Sequence, residues 1–310
     1  MNTTRKKILL AVDGSGQSLD AVRYVGKVLA SQKAQVVLFI VIRKIDEAFY
    51  EMGIDPFYSE RIASIRAWER EQNEIIEDVI NRATQILMES GIPRESVTET
   101  IHQRKIAVAG DILIESKNDY SAVVVGRTGL SKLKDFVFGS IADKLIETLT
   151  HVPVWVVGGN PEPDKILVAL DASKGSMQAV EHVGMMLGGA NFEVTLLHAV
   201  RGLNFLQQID LSSLEHEELL REIKKSITPV FNEAKNRLIN AGLKPEQITT
   251  KLLTDVDNPA DAIVQEAGQG NYGTIAVGRR GLSKVEGFFT GSISKRILHL
   301  AKETAVWVVS

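Results

Sequence analysis

The chain has 310 residues, 44% hydrophobic and 24% charged, with a formal net charge of -3 and no cysteine. That length suits two ordinary domains, each able to bury a core, and the composition is that of a soluble globular protein. A near-neutral charge offers no basic field for nucleic acid or an anionic membrane, and the missing cysteine excludes disulfides, thiol catalysis and thiolate metal sites.

Met1 to Lys7 is polar and leads straight into an apolar run, with no signal peptide visible. No apolar run approaches the ~18 residues of a membrane span, so a cytoplasmic location is expected. Lys7 to Asp13 predicts a buried strand, Asp13-Gly14-Ser15-Gly16 a turn, and Ser18 to Ala30 a helix with Leu19, Val22, Val25 and Leu29 on one face. Gln35 to Ile42 predicts a second strand. Arg43 to Ser59 is irregular and carries Phe49, Tyr50 and Phe57, which are expected to pack over the sheet. Glu60 to Ser90 predicts a long charged helix stopped by Gly91-Ile92-Pro93. Val97 to Gln103 alternates as a third strand, Gly110 to Asn118 predicts a short helix, and Ser121 to Gly126 a fourth strand. A helix from Gly139 and a fifth strand, Val152 to Val157, complete the set.

Gly158-Gly159-Asn160-Pro161-Glu162-Pro163-Asp164 has the composition of a linker. The order then repeats: Lys165 to Asp171, Ser176 to Leu187, Glu193 to Val200, Ser212 to Ala241, Ile248 to Thr254, Ala260 to Gly268, Thr274 to Gly278, Gly291 onward, and Ala305 to Val309. Gly126, Gly129, Gly139, Ser140 and Trp155 recur at a constant spacing of 152, as Gly278, Gly281, Gly291, Ser292 and Trp307. Asp13 recurs as Asp171 at a spacing of 158. The expected domains are 1–158 and 165–310, joined by 159–164. Each would be an α/β unit with a parallel sheet covered by helices on both faces.

The two copies share the pattern G-x2-G-x9-G-S, at Gly126 to Ser140 and at Gly278 to Ser292. Each pattern follows a β-branched strand and precedes an amphipathic helix, Ile141 to Leu149 or Ile293 to Leu300. Glycines admit close approach of a ligand to backbone. A helix start adds unpaired N–H groups and a positive dipole end. Together they form an anion site, most often for phosphate.

This pattern resembles the nucleotide-binding signature of the universal stress protein family. An Asp ending the first strand (Asp13, Asp171) and a hydrophobic last strand opening on Pro or Ala (Pro153 to Val157, Ala305 to Val309) extend the resemblance over nearly the whole chain, as two tandem copies. The resemblance implies two doubly wound, five-stranded sheets of order 3-2-1-4-5, an adenine nucleotide alpha hydrolase-like fold, with the ligand at the switch point between strands one and four. It implies an adenine nucleotide (ATP, or AMP or ADP), with Mg²⁺ bound to its phosphates. Gly126, Gly129, Gly139, Ser140 and Ile141 would hold phosphate, Asp13 the ribose or a metal-bound phosphate, and backbone at Val12 and Val41 the adenine edge. In copy two these are Gly278, Gly281, Gly291, Ser292, Ile293, Asp171, Leu170 and Ala199.

Arg127 and Arg279 follow the first glycine and would screen phosphate charge; the plainer reading leaves them solvated or paired. The plainer reading has Asp13 and Asp171 only capping the turn that follows, and Ser140 and Ser292 as helix N-caps with no ligand. His198 and His102 are expected to be core histidines, and the acidic run Glu215 to Glu222 a solvated helix face. No G-x4-G-K-[ST] loop, Ser-His-Asp order or histidine cluster stands out. Two function classes stay open: a regulator offering a nucleotide-dependent shape to a protein partner, or a slow ATP hydrolase or phosphotransferase. Last, the uncharged strands Pro153 to Val157 and Ala305 to Val309 would be bare sheet edges. They are expected to pair with each other, antiparallel, with Trp155 and Trp307 at the seam of an internal pseudo-dimer. Family resemblance adds a possible homodimer.

Overall fold

The computed structural model describes residues 6–30, 32–43, 59–129, 139–201, 213–280 and 292–310. Its strands are β1 Lys6–Ala11, β2 Ala34–Ile42, β3 Val97–Gln103, β4 Ala122–Gly126, β5 Val154–Val157, β6 Lys165–Ala169, β7 Glu193–Arg201, β8 Ile248–Val256, β9 Thr274–Gly278 and β10 Ala305–Val309. Its helices are α1 Gly16–Leu29, α2 Ser59–Glu89, α3 Val108–Glu115, α4 Ser140–Thr148, α5 Lys174–Leu187, α6 Ser213–Asn240, α7 Pro259–Gln269 and α8 Ser292–Leu300. The aromatic loop with Phe49, Tyr50 and Phe57 lies outside the described residues, as do Gly281 and Gly291.

Continuous apolar runs such as Val123-Val124-Val125 build strands buried on both faces, as parallel sheets require. Serines start the long helices beneath them. Ser15 accepts the Ser18 N–H at 3.1 Å, and Ser173 accepts the Ser176 N–H at 3.1 Å. The first half has strand order β3-β2-β1-β4-β5, and the second has β8-β7-β6-β9-β10.

The two five-stranded sheets are one. β5 pairs antiparallel with β10, placing Trp307 opposite Trp155, so a single ten-stranded sheet runs through both halves. One apolar core on the α1 and α5 face holds Ile8, Val25, Trp155, Ile166, Val183 and Trp307, residues of both halves. A second, on the α4 and α8 face, likewise joins Leu9, Leu145, Leu167 and Ile297. The segment after β5 is no loose linker. Pro161 and Pro163 are buried, and Glu162 meets Lys27 at 2.6 Å.

The tryptophan rings stack at the seam with centroids 3.9 Å apart and planes 1° from parallel. Each indole N–H then crosses to the other half. Trp307 donates to the Tyr24 hydroxyl at 2.8 Å, and Trp155 donates to His182 Nε2 at 2.9 Å. Tyr24 and His182 stand at the same place in α1 and α5, so the crossing is a pseudo-twofold pair. Tyr24 is further tied to Thr274 Oγ1 at 2.6 Å.

Candidate functional site

Because β1 and β4 are parallel neighbours, their carboxyl ends open on one side of the sheet, and the glycine loop leaves β4 there. Asp13 turns the chain from β1 into α1. Its Oδ1 accepts the Ser15 N–H at 3.0 Å, and Asp171 does the same for Ser173 at 3.1 Å. Each acid thus caps the turn ahead of the helix-capping serine, the plainer of the two readings, yet the Asp13 carboxylate also faces the loop. A Cβ on Gly129 would stand 2.6 Å from Asp13 Oδ2, so the acid lies directly against that glycine. An anion held by this loop would meet the carboxylate, and a divalent cation between them would relieve the repulsion.

Gly139 closes the loop. Its N–H donates to the Arg127 carbonyl at 2.9 Å, and a Cβ there would come within 2.7 Å of the same oxygen. Its smallness therefore serves backbone packing within the loop. Gly139→Val should force the loop off the helix start and cost about 1–3 kcal/mol, read as a lowered unfolding midpoint without any nucleotide present. A variant of unchanged stability would show that the loop tolerates a side chain. Gly278 is packed still harder. A Cβ there would lie 2.4 Å from the Gly175 carbonyl carbon, at the start of α5.

Ser140 is the first residue of α4, with Gly139 in the capping position, and its side chain is exposed. Ser292 opens α8 in the same exposed state. Ser140 is therefore not the capping residue itself, and the cap reading fails there. The first N–H groups of a helix lack intrahelical acceptors, so Ser140, Ile141 and the residue beyond present donors with the hydroxyl. Ile293 is in the same place in α8 and is exposed.

The structure corrects three expectations. Arg127 and Arg279 point away from the loops, and burial leaves them only 3% and 4% exposed. Arg127 donates to the carbonyls of Ala301, at 2.9 Å, and Leu298, at the end of α8. Arg279 donates to those of Leu149, at 2.5 Å, and Glu147, at 2.6 Å, at the end of α4. Each guanidinium thus spans the seam, because those carbonyls form a helix's negative end. Burial holds the Arg127 group down to about 10, with Glu303 pulling the other way, and burial then Arg280 lower Arg279. Second, the adenine-edge backbone is partly taken. The Val12 N–H donates to Phe39 at 3.0 Å and the Leu170 N–H to Leu197 at 2.8 Å. Third, His198 is only half-buried. Its Nδ1 lies 2.6 Å from the Leu170 carbonyl, which further occupies that edge in copy two, where Ala199 sits beside it. Val41 is half-buried on the β2 end in copy one. His102 is half-buried too, stacked on Phe39 and 3.6 Å from Asp111.

Gln17, to which no sequence motif points, reaches into the loop and accepts the Thr128 N–H at 2.7 Å. Its counterpart Gly175 has no side chain, so the repeat carries no signal for it. Tyr24 and His182 were also missed. The signal there was a polar ring on the apolar face of each helix, at a spacing of 158.

Two doubly wound halves, each with parallel neighbours β1 and β4 or β6 and β9 at its switch point, define a tandem α/β class. The chain belongs to the universal stress protein family: the family's model matches residues 4–158 and again 163–310. A universal stress protein of Mycolicibacterium smegmatis is 24% identical, with 99% of this chain and 98% of that protein covered. Universal stress protein YxiE of Bacillus subtilis is 27% identical over 44% of this chain and 93% of its own. In fold, a universal stress protein from Archaeoglobus fulgidus superposes with a TM-score of 0.64 at 20% identity, covering 99% of both chains. Among the described residues, no helix is long and apolar enough to cross a membrane, and no three side chains gather as a metal site.

Proposed function

We propose that the chain binds an adenine nucleotide with Mg²⁺ at each of its two loops, and that the bound state sets the shape it offers to a protein partner. The observation that carries this is the Asp13 carboxylate against Gly129, beside the open N–H groups at the start of α4. That arrangement accepts a phosphate and a bridging cation together, which a plain turn has no need of. Gly129, Gly139, Ser140 and Ile141 would hold the phosphates, and Asp13 the cation or the ribose. Asp171, Ser292 and Ile293, with Gly281 and Gly291 of the pattern, would do the same in copy two. The domain limits 1–158 and 165–310 and the linker 159–164 belong to the same reading.

The copies differ in charge where phosphate would sit. Asp143 occupies the first turn of α4, whereas Lys295 holds the matching place in α8. Copy two therefore suits the larger negative charge of a triphosphate. Calorimetric titration of the intact chain with ATP and Mg²⁺ should give a stoichiometry near two. Ser140→Ala should weaken one site roughly 10- to 100-fold, the worth of a hydroxyl bonded to an ionised phosphate. A stoichiometry near zero would sink the proposal, and one near one would leave a single working loop. The second reading, slow hydrolysis or phosphoryl transfer, draws on the same carboxylate. Radiolabelled ATP incubated with the chain separates the two, since a binder returns it intact.

A further inference from the structure

The seam arginines and the loops belong to one device. Resting on the nucleotide reading, we infer that Arg127 and Arg279 are positioning residues that link the two sites, each holding the far end of the helix whose near end forms the other domain's site. α4 begins at site one with Ser140 and ends at the Glu147 and Leu149 carbonyls gripped by Arg279. Arg279 itself stands in the loop of site two. α8 begins at site two with Ser292 and ends at the Leu298 and Ala301 carbonyls gripped by Arg127, which stands in the loop of site one.

The backbone of each arginine is fixed within its own site. The Arg127 N–H donates to Val157 at 2.8 Å, and its carbonyl receives the Gly139 N–H at 2.9 Å. The Arg279 N–H donates to Val309 at 2.6 Å, and its carbonyl receives the hydroxyl of Ser294, in the first turn of α8, at 3.1 Å. An arginine therefore joins its own loop, through main chain, to the opposite helix, through its side chain. Both helices have nine residues, short enough to move as rods. Lys295 on α8 and Glu147 on α4, 3.6 Å apart, tie the rods to each other as well. A phosphate that settles one loop settles the base of its arginine, and so the helix start at the other loop. Coupling of this kind is reciprocal by thermodynamic necessity, so each site should favour the other equally.

The alternative is that the arginines only glue the seam. The crossing of the effects distinguishes the two. In the intact chain, ATP with Mg²⁺ is titrated against Arg279→Met, once with Ser292→Ala to cripple site two and once with Ser140→Ala to cripple site one. With site two crippled, Arg279→Met should weaken the remaining site about five- to tenfold. With site one crippled, it should change the remaining site less than about twofold, and Arg279→Lys should recover part of the loss. Arg127→Met should give the mirror result. Hydrogen exchange on the unliganded chain adds a readout free of nucleotide: Arg279→Met should speed exchange at 145–149 and leave 297–301 unchanged. Equal weakening at both sites would reduce the arginines to seam glue. Loss at the arginine's own site alone would place the guanidinium on its own phosphate, and either result overturns the link. Absence of nucleotide binding in the unmutated chain, with the exchange pattern intact, would instead overturn the nucleotide reading and the link with it.

Discussion

Trp155→Ala should cost about 3–5 kcal/mol of stability, among the largest losses available to a single substitution here. Trp155 is wholly buried, and its ring lies flat on Trp307 with centroids 3.9 Å apart. Alanine would remove one side of that stack and leave a cavity bounded by Trp307 and His182. It would also delete the N–H that His182 Nε2 receives at 2.9 Å. Trp155→Phe keeps an aromatic face without the donor, so it should fall between alanine and the native residue. Urea unfolding followed by far-ultraviolet dichroism measures both. The native chain should unfold in one transition, because both apolar cores run across the seam. Two resolved transitions, with Trp155→Ala affecting only one, would refute the shared core.

Acid should destabilise the chain through His182. Burial pushes this imidazole from its ordinary value near 6.5 down to about 3. Above pH 6.5 the ring is neutral in both folded and unfolded chains, and its contribution is fully present. Between pH 6.5 and about 3 the unfolded chain takes up a proton that the folded one refuses, so stability falls by about 1.4 kcal/mol per pH unit. Below pH 3 both forms are protonated and this loss levels off, at a total on the order of 5 kcal/mol. His182→Gln keeps an acceptor for the Trp155 N–H and cannot titrate. Its unfolding free energy should therefore lose less between pH 7 and pH 4 than the native chain's. Equal slopes for the two proteins would show that His182 is not the group responsible.

The fold was largely legible because its signals are repeated and local. The β-branched runs, their spacing of 152 and the glycine loops fix ten strands and where each half starts. The bare edges at Pro153 to Val157 and Ala305 to Val309 point to the antiparallel pairing that the structure forms, with Trp155 facing Trp307. That Arg127 and Arg279 are paired was the plainer reading, but their partners were not legible. An arginine after the first glycine of such a pattern looks like a phosphate ligand until the position of another domain's helix end is known. The same limit hid Tyr24 and His182, whose partners lie 283 and 27 residues away across the seam. Gly139 was legible as an obligatory glycine but for another reason, since its crowding neighbour is the Arg127 carbonyl.

The seam also sets a timetable for synthesis. β5 is paired on one side by β4, but its other partner, β10, is made about 150 residues later. At roughly 5–20 residues per second, the uncharged edge of β5 waits about 7–30 s for its cover. During that interval a neighbouring nascent copy presents the same edge, and pairing between copies would use the same hydrogen bonds as the native seam. The outer strand β3, by contrast, carries Glu99, His102 and Gln103 and is never left apolar. Crowded translation of one message is thus the condition under which this chain is most prone to exchange halves between molecules.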